Sequence, residues 1–529
     1  MAMKQLTEDE IRALPVEELH RLLAEQQFQI LHLRDENIRL RHELFGKRSE
    51  KLTRIDEEQQ VLFNEIELNA RTEEEEQQKL AEEAPLFVGA HTRKKPGRRS
   101  LPPDLPRREV IHDLPDGEKF CRLGHPLKHI GEDISERLHV IPMQVEVERH
   151  IRHKYVCPVC AGSGDPIAPD AEPEIKMAPV TPNLIPGSIA TPGLLAYIMT
   201  GKFCDALPFY RLERIFQRSG VELTRATMCF WAIRIARNAA RLRKLLWDEL
   251  RRAAVMHIDE TTLQVLKEPG RKPSMKSFLW AYRSSTGGKT VVLFEYRTGR
   301  GGDFLPKRLR EFQGTVVSDA YNGYDHLNHT GGIRRAGCWA HARRKFFEAQ
   351  KHGSSEAGWF LDRISHLYKI EAEYRDSLPG KRLKMRQRYS KPVTEEIHSK
   401  LTSLRAGTLP QSPLGKAMAY TAKQWEHLLV FQENGEIPID NNLIENDIRP
   451  FVIGRKNWLF SDTQKGASAS AFFYSLIQTA KANGHEPYWY LRYLFEKLPT
   501  AGRDKEALSA LLPMNVSPQH VKDFFGGKK

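Results

Sequence analysis

Nothing in this chain of 529 residues is long and apolar enough to cross a bilayer. Its most apolar stretch, LIPGSIATPGLLAYIM at 184–199, is broken by Pro186, Gly187, Pro192 and Gly193. A spanning helix needs about 20 mostly apolar residues, so no membrane partner is expected. The opening MAMKQLTEDEIRALPVEEL carries acids where a secretory signal has its hydrophobic segment. Cysteine is scarce too. Six in the whole chain do not build a disulfide scaffold, and a reducing cytoplasm is the expected compartment. Acidic residues are the third shortage: 68 Asp plus Glu stand against 81 Lys plus Arg, a formal charge of +13. That cationic excess suits a polyanion, because each phosphate neutralised releases condensed counterions.

What is present divides into segments. Residues 1–46 read as helix, opened by a capping box of Thr7 and Glu10. Leu19, Gln26, Leu33 and Leu40 then alternate with Leu23, Ile30, Asn37 and Leu44 at heptad spacing. Such a seam suits a leucine-zipper-like coiled coil, with one Asn favouring a two-stranded register, and hence a homodimer or higher oligomer. An amphipathic helix packed on its own domain would carry the same pattern. Residues 47–100 are a linker, first acidic (TEEEEQQKLAEE), then basic (HTRKKPGRRS). Arg98 and Arg99 there suit a DNA minor groove, or simply a solvated linker.

Residues 101–175 are strand-rich, with period-two alternation through MQVEVERHI. Cys157 and Cys160 of CPVC can clasp one side of a tetrahedral Zn²⁺, and Cys121 and His125 of CRLGH would complete it. His129 competes for the last place, and a redox pair or two reduced core thiols is the alternative. Residues 176–250 read as helices. SGVEL joins two of them and Thr224 is set to cap the next, compatible with a helix-turn-helix presenting Arg225, Thr227 and Arg234 to DNA. A plain helical hairpin would look the same.

At 253 the periodicity changes. AAVMHIDETTLQVL, KSFLWAYRSS and KTVVLFEYR are three β-rich runs, and GTVVSDAYNGYDHL is a fourth ending in an acid. This order is how a ribonuclease-H-like fold begins, and in such a sheet the first and fourth strands are neighbours. Asp259 and Asp319 would then converge, a pairing that suits Mg²⁺ or Mn²⁺ and phosphoryl chemistry. A third acid is sought in PIDNNLIENDIRPFVIGRKNWLF, 438–460. The pattern predicts a helix starting near Asp440 and stopped by Pro450. Asp440 fits its N-cap, Glu445 is the preferred ligand, and Asp447 is a flanking charge. Glu445 and Arg449 share a face at i,i+4, so a surface ion pair fits them equally.

These motifs, together with LFGKRSEK, KKPGRRSLPPDLP, GEDISERLHVIP, LPFYRLERIF, SDAYNGY, GCWAHARRKF and GRKNWLF, run in order from about residue 44 to 500. On them the chain resembles the large DDE transposase of the bacterial insertion-sequence-sixty-six family. The resemblance implies Asp259, Asp319 and Glu445 as catalytic acids holding two Mg²⁺ (or Mn²⁺) ions, plus a structural Zn²⁺. It implies binding to an element's terminal inverted repeats, cleavage of its ends, and transfer of the 3′-ends into target DNA in a nucleoid-associated setting. Small element-encoded accessory proteins are implied as partners.

The resemblance further implies a multidomain α/β chain whose catalytic core (251–346 and 435–465) is interrupted by a helical insertion at 347–434 and followed by a helical region at 466–529. Many family members carry two close cysteines where this chain has CRLGH, a departure at the zinc module. In CWAHARRKF, His341, Arg343 and Arg344 would face DNA, or His341 would orient a ligand or sit satisfied in the core. Cys338 with His341 is not read as a metal site. Arg449, Arg455 and Lys456 suit phosphate contacts, and Trp458 suits core packing or base stacking. A catalytically silent DNA-binding regulator and a structure-specific nuclease are the rival readings.

Overall fold

The computed structural model describes residues 144–156, 175–180, 182–285 and 289–526, with Pro15, Glu18 and His20. The heptad seam, Arg98, Arg99 and the expected zinc ligands Cys121, His125, Cys157 and Cys160 lie outside the described residues. A short exposed strand is present at Lys154–Val156. No helix among the described residues is long and apolar enough to cross a membrane.

Immediately before the sheet the chain forms α1 (Pro192–Phe203), α2 (Phe209–Arg218), α3 (Arg225–Asn238) and α4 (Ala240–Arg251). Thr191 caps α1 by accepting from the N–H of Leu194, and Pro192 supplies a pre-set first turn. Thr224 caps α3 as the sequence predicts, accepting from the N–H of Thr227. The turn before it uses Gly220 at φ +76°, where a side chain would be strained. A break at Ala239 separates α3 from α4.

The sheet forms from the four predicted runs, β1 (Val255–Lys267), β2 (Lys276–Ser284), β3 (Val292–Arg297) and β4 (Gly314–Val317), and from β5 (Ile333–Ala336). Their order is β3-β2-β1-β4-β5. The first three form an antiparallel meander, while β4 runs parallel to β1 and β5 parallel to β4. A short β6 (Ser461–Thr463) joins the far end of β1. Val255, Met256 and Ile258 of β1 are all but inaccessible, as befits a central strand covered on both faces.

Between β5 and the last part of the sheet, the chain forms helices α5 (Trp339–Lys351), α6 (Ser355–Glu373), α7 (Pro379–Met385), α8 (Lys391–Leu404), α9 (Pro413–Lys423) and α10 (Trp425–Leu429). Their core, including Trp339, Phe346, Phe360 and Ile397, is continuous with Val255, Val317 and Ala336 of the sheet. Buried Arg386 locks this block. It forks onto Glu371 with bonds of 2.7 and 2.6 Å and donates to the carbonyls of Phe431 and Asn434. A bidentate guanidinium–carboxylate pair fixes orientation as well as distance.

Helix α11 (Asn442–Trp458) follows, and it corrects two expectations. It passes through Pro450, where a stop was predicted. The ring removes one backbone donor, but Ile448, Phe451 and Val452 are buried on either side and hold the helix together. The helix ends at Leu459, at φ +64°. Nor does Asp440 cap it: Asn441 occupies that position, and Asp440 is a half-buried carboxylate accepting from Tyr368 Oη (2.9 Å) and the N–H of Asn442 (3.2 Å). Helix α12 (Gln464–Ala482) packs against β3, and α13 (Pro487–Ala501) packs against α1.

Candidate active site

β1 passes through the centre of the sheet, and period-two alternation sets His257 and Asp259 on the same face. The parallel register pairs His257 with Val317, so two residues further on Asp319 comes level with Asp259. Asp319 lies just beyond β4 in the turn. Its Oδ1 accepts from the N–H of Tyr321 (3.0 Å), and Arg335 Nη2 donates to its carbonyl (2.9 Å). Asp259 Oδ1 accepts from the N–H of Glu260 at 2.8 Å.

The third acid arrives on α11, whose start is pinned to β1 by one side chain. Asn441 Nδ2 donates to the carbonyl of Ile258 (3.1 Å), and its Oδ1 meets His257 Nδ1 at 2.8 Å in a fully buried contact. Glu445 follows in the first helical turn, 8% exposed, where the partial positive charge of the helix N-terminus favours a carboxylate. The electrostatics record the convergence. Burial pushes the Asp259 carboxyl well above its ordinary range, and the charges of Glu260, Asp319 and Glu445 push it further. Acids from a strand, a turn and a helix therefore act on one another.

Glu260 is an acid that the sequence reading passed over. It is buried, with Arg300 Nε 2.7 Å from Oε1 and the Tyr324 hydroxyl donating to Oε2. Burial and the charge of Asp319 raise it to about 7, against the pull of Arg300. Its only sequence signal was its adjacency to Asp259.

Helix α5 brings a second group against Glu445. Cys338 is its N-cap residue, with Sγ accepting from the N–H of Asn441 at 3.2 Å. His341 Nδ1 lies 3.9 Å from Glu445 Oε1. Burial works against a charged imidazole, yet Cys338 and Glu445 hold His341 well above its ordinary pKa. Half-buried Arg344 also feels Glu445, although burial lowers its own pKa. Arg343 is half-buried on the same helix and acts electrostatically on Tyr368.

The remaining expected residues are dispersed. Arg225 is exposed at the start of α3, its N–H donating to Glu213 Oε1, and Arg234 is half-buried. Arg449 is half-buried and Lys456 exposed. Arg455 is only 7% exposed, with its guanidinium donating to Thr262 Oγ1 at 2.7 Å, so it ties α11 to β1. Asp447 is not a flanking charge. It is buried and ion-paired to Arg283 of β2 at 2.6 Å, a link that sequence spacing does not reveal. Trp458 packs edge-on against Phe451 (5.5 Å), with the Lys202 ammonium 5.2 Å from its ring centre.

Comparison with known proteins covers most of the chain. A family model described as Transposase IS66 family matches residues 187–469, and the IS66 C-terminal element matches 475–514. Residues 118–161 match the zinc-finger binding domain of transposase IS66, and 32–110 match a model described as Transposase C of IS166 homeodomain. Among curated relatives, uncharacterized protein y4jD of Sinorhizobium fredii is 32% identical, covering 80% of this chain and 82% of the relative. Uncharacterized proteins y4qI and y4hP of the same organism are 30% and 29% identical, each covering 90% of this chain and 87% of the relative.

Proposed function

This chain belongs to the IS66 transposase family, and from that membership we propose that it cuts the ends of a mobile element and joins their 3′-ends to target DNA. The catalytic acids in this reading are Asp259, Asp319 and Glu445. One observation carries it: Asp319 and Glu445, distant in sequence, both bear electrostatically on Asp259. The strand order and directions support a ribonuclease-H-like core, with the helices from 339 to 429 as an insertion within it.

The donor set fits a hard divalent cation, because half-buried Asp259 and Asp319 and buried Glu445 offer oxygen ligands and negative charge together. When bound, two Mg²⁺ or Mn²⁺ ions would supply neutralisation of the phosphate and of the attacking and departing oxygens. The chain's own part is to hold the acids still. Asn441 sets the depth of α11 against β1, and Arg335 fixes the turn carrying Asp319. Arg343 and Arg344 are assigned to phosphate oxygens near Glu445, and Arg225 and Lys456 to more distant backbone contacts. End recognition is assigned to α2–α3 and to a zinc module at Cys121, His125, Cys157 and Cys160. Pairing of two subunits is assigned to the heptad seam, with small accessory proteins as further partners.

The test is end cleavage of labelled terminal-repeat DNA in Mg²⁺, scored beside end binding. Glu445→Gln and Asp259→Asn are each expected to bind ends normally and to lose cleavage by at least about 100-fold. Cleavage at the wild-type rate by either variant would reject the acid assignment. A wild-type chain that bound ends but never cut them in Mg²⁺ would instead indicate a regulator.

A further inference from the structure

We propose that Cys338, His341 and Glu445 form a binding site for a single Zn²⁺-like ion, a site that borrows Glu445 from the three-acid cluster. Each residue offers one ligand atom, and the three atoms lie within 4.8 Å of one another. His341 Nδ1 lies 3.9 Å from Glu445 Oε1. Metal–ligand bonds of about 2.0–2.3 Å put neighbouring ligands in a tetrahedral shell roughly 3.3–3.8 Å apart, so only a small contraction is needed.

The surroundings are those of a built site. Cys338 is 2% exposed, and its sulfur already accepts from the N–H of Asn441, a contact that would steady a thiolate. Asn441 is itself fixed by His257 and Ile258, so the sulfur sits on a rigid support. Cys338 and His341 are one turn apart at the start of α5, while Glu445 faces them from the first turn of α11. Three protein ligands leave a fourth position, and the partial exposure of His341 opens it to water or a phosphate oxygen.

The ligand chemistry selects the ion. Mg²⁺ and Ca²⁺ take oxygen ligands and would not take a sulfur. A thiolate, an imidazole and a carboxylate together suit Zn²⁺, or Co²⁺ in its place. Binding would release the Cys338 thiol proton to solvent. It would also engage the carboxylate assigned above to Mg²⁺, so Zn²⁺ should oppose Mg²⁺-dependent cleavage. That consequence rests on the proposed transposase chemistry, whereas the binding does not.

The experiment titrates the full-length chain, with any zinc-module ion left in place, using Co²⁺ as the probe and no DNA. The wild type is expected to take up one equivalent with a thiolate-to-cobalt charge-transfer band in the near ultraviolet. Cys338→Ser should lose that equivalent and its band, and His341→Ala and Glu445→Gln should each weaken binding at least tenfold. Cobalt taken by Cys157 and Cys160 is common to all four proteins and cancels in the comparison. A wild-type band and stoichiometry no greater than those of Cys338→Ser overturn the proposal.

If Cys338→Ser fails to fold, zinc-edge anomalous scattering from wild-type crystals soaked in Zn²⁺ replaces it. A peak among the three side chains supports the site, and an empty position there overturns it. Cobalt binding by the wild type together with full cleavage by Glu445→Gln would leave the metal site standing and reject the acid assignment instead.

Discussion

Asn441 bears more of the candidate site than any acid does. Its amide satisfies buried His257 and the Ile258 carbonyl, and its N–H meets Cys338. Replacing it with Ala removes the buried side-chain bonds to His257 and the Ile258 carbonyl, at about 1–3 kcal/mol, and leaves the backbone contact to Cys338 in place. Asn441→Ala should therefore lower the midpoint of chemical denaturation and also slow end cleavage on the order of 100-fold, with every acid intact, because α11 loses its depth gauge. A stability loss without a rate loss would show that Glu445 is positioned by other contacts. Asp447 and Arg455 teach a related lesson: charged residues that read as surface groups are buried tethers to β2 and β1.

At the scale of elements, β3 is the edge of the sheet, and edges expose unpaired backbone groups. Helix α12 covers it with hydroxyls in place of another strand. Thr479 Oγ1 accepts from the N–H of Val292 and donates to its carbonyl, and Ser475 Oγ accepts from the N–H of Phe294. Thr479→Val keeps the shape and removes both bonds. It should cost about 1–3 kcal/mol and speed amide exchange at Val292, read by hydrogen-exchange mass spectrometry. Unchanged exchange there would mean that the helix protects the edge by packing alone. Helix α11 shows the limit of local rules: Pro450 was expected to end it, and buried neighbours on both sides carry it through.

Across the whole molecule, the candidate acids come from a central strand, a turn and a helix separated by a long helical block. An ion bridging them would tie these distant parts of the chain together. Mg²⁺ should therefore raise the melting temperature of the wild type, by an amount equivalent to about 2.7 kcal/mol at 100 times its dissociation constant. Glu445→Gln should show a smaller rise, measured by scanning calorimetry in matched buffers, and equal shifts would argue against Glu445 as a ligand.

Much of this was legible in one dimension. β-rich runs announced β1 to β4, Thr224 announced its cap, and the ribonuclease-H-like order of the runs put β1 beside β4. Such patterns are local, since backbone periodicity and caps depend on residues a few positions apart. What only the tertiary structure decided are pairings between distant segments: Asn441 with His257, Asp447 with Arg283, Arg386 with Glu371, and Glu445 with the Cys338–His341 turn. Whether a polar side chain meets solvent, a counter-ion or a second ligand depends on what packs over it, and sequence separation carries no record of that.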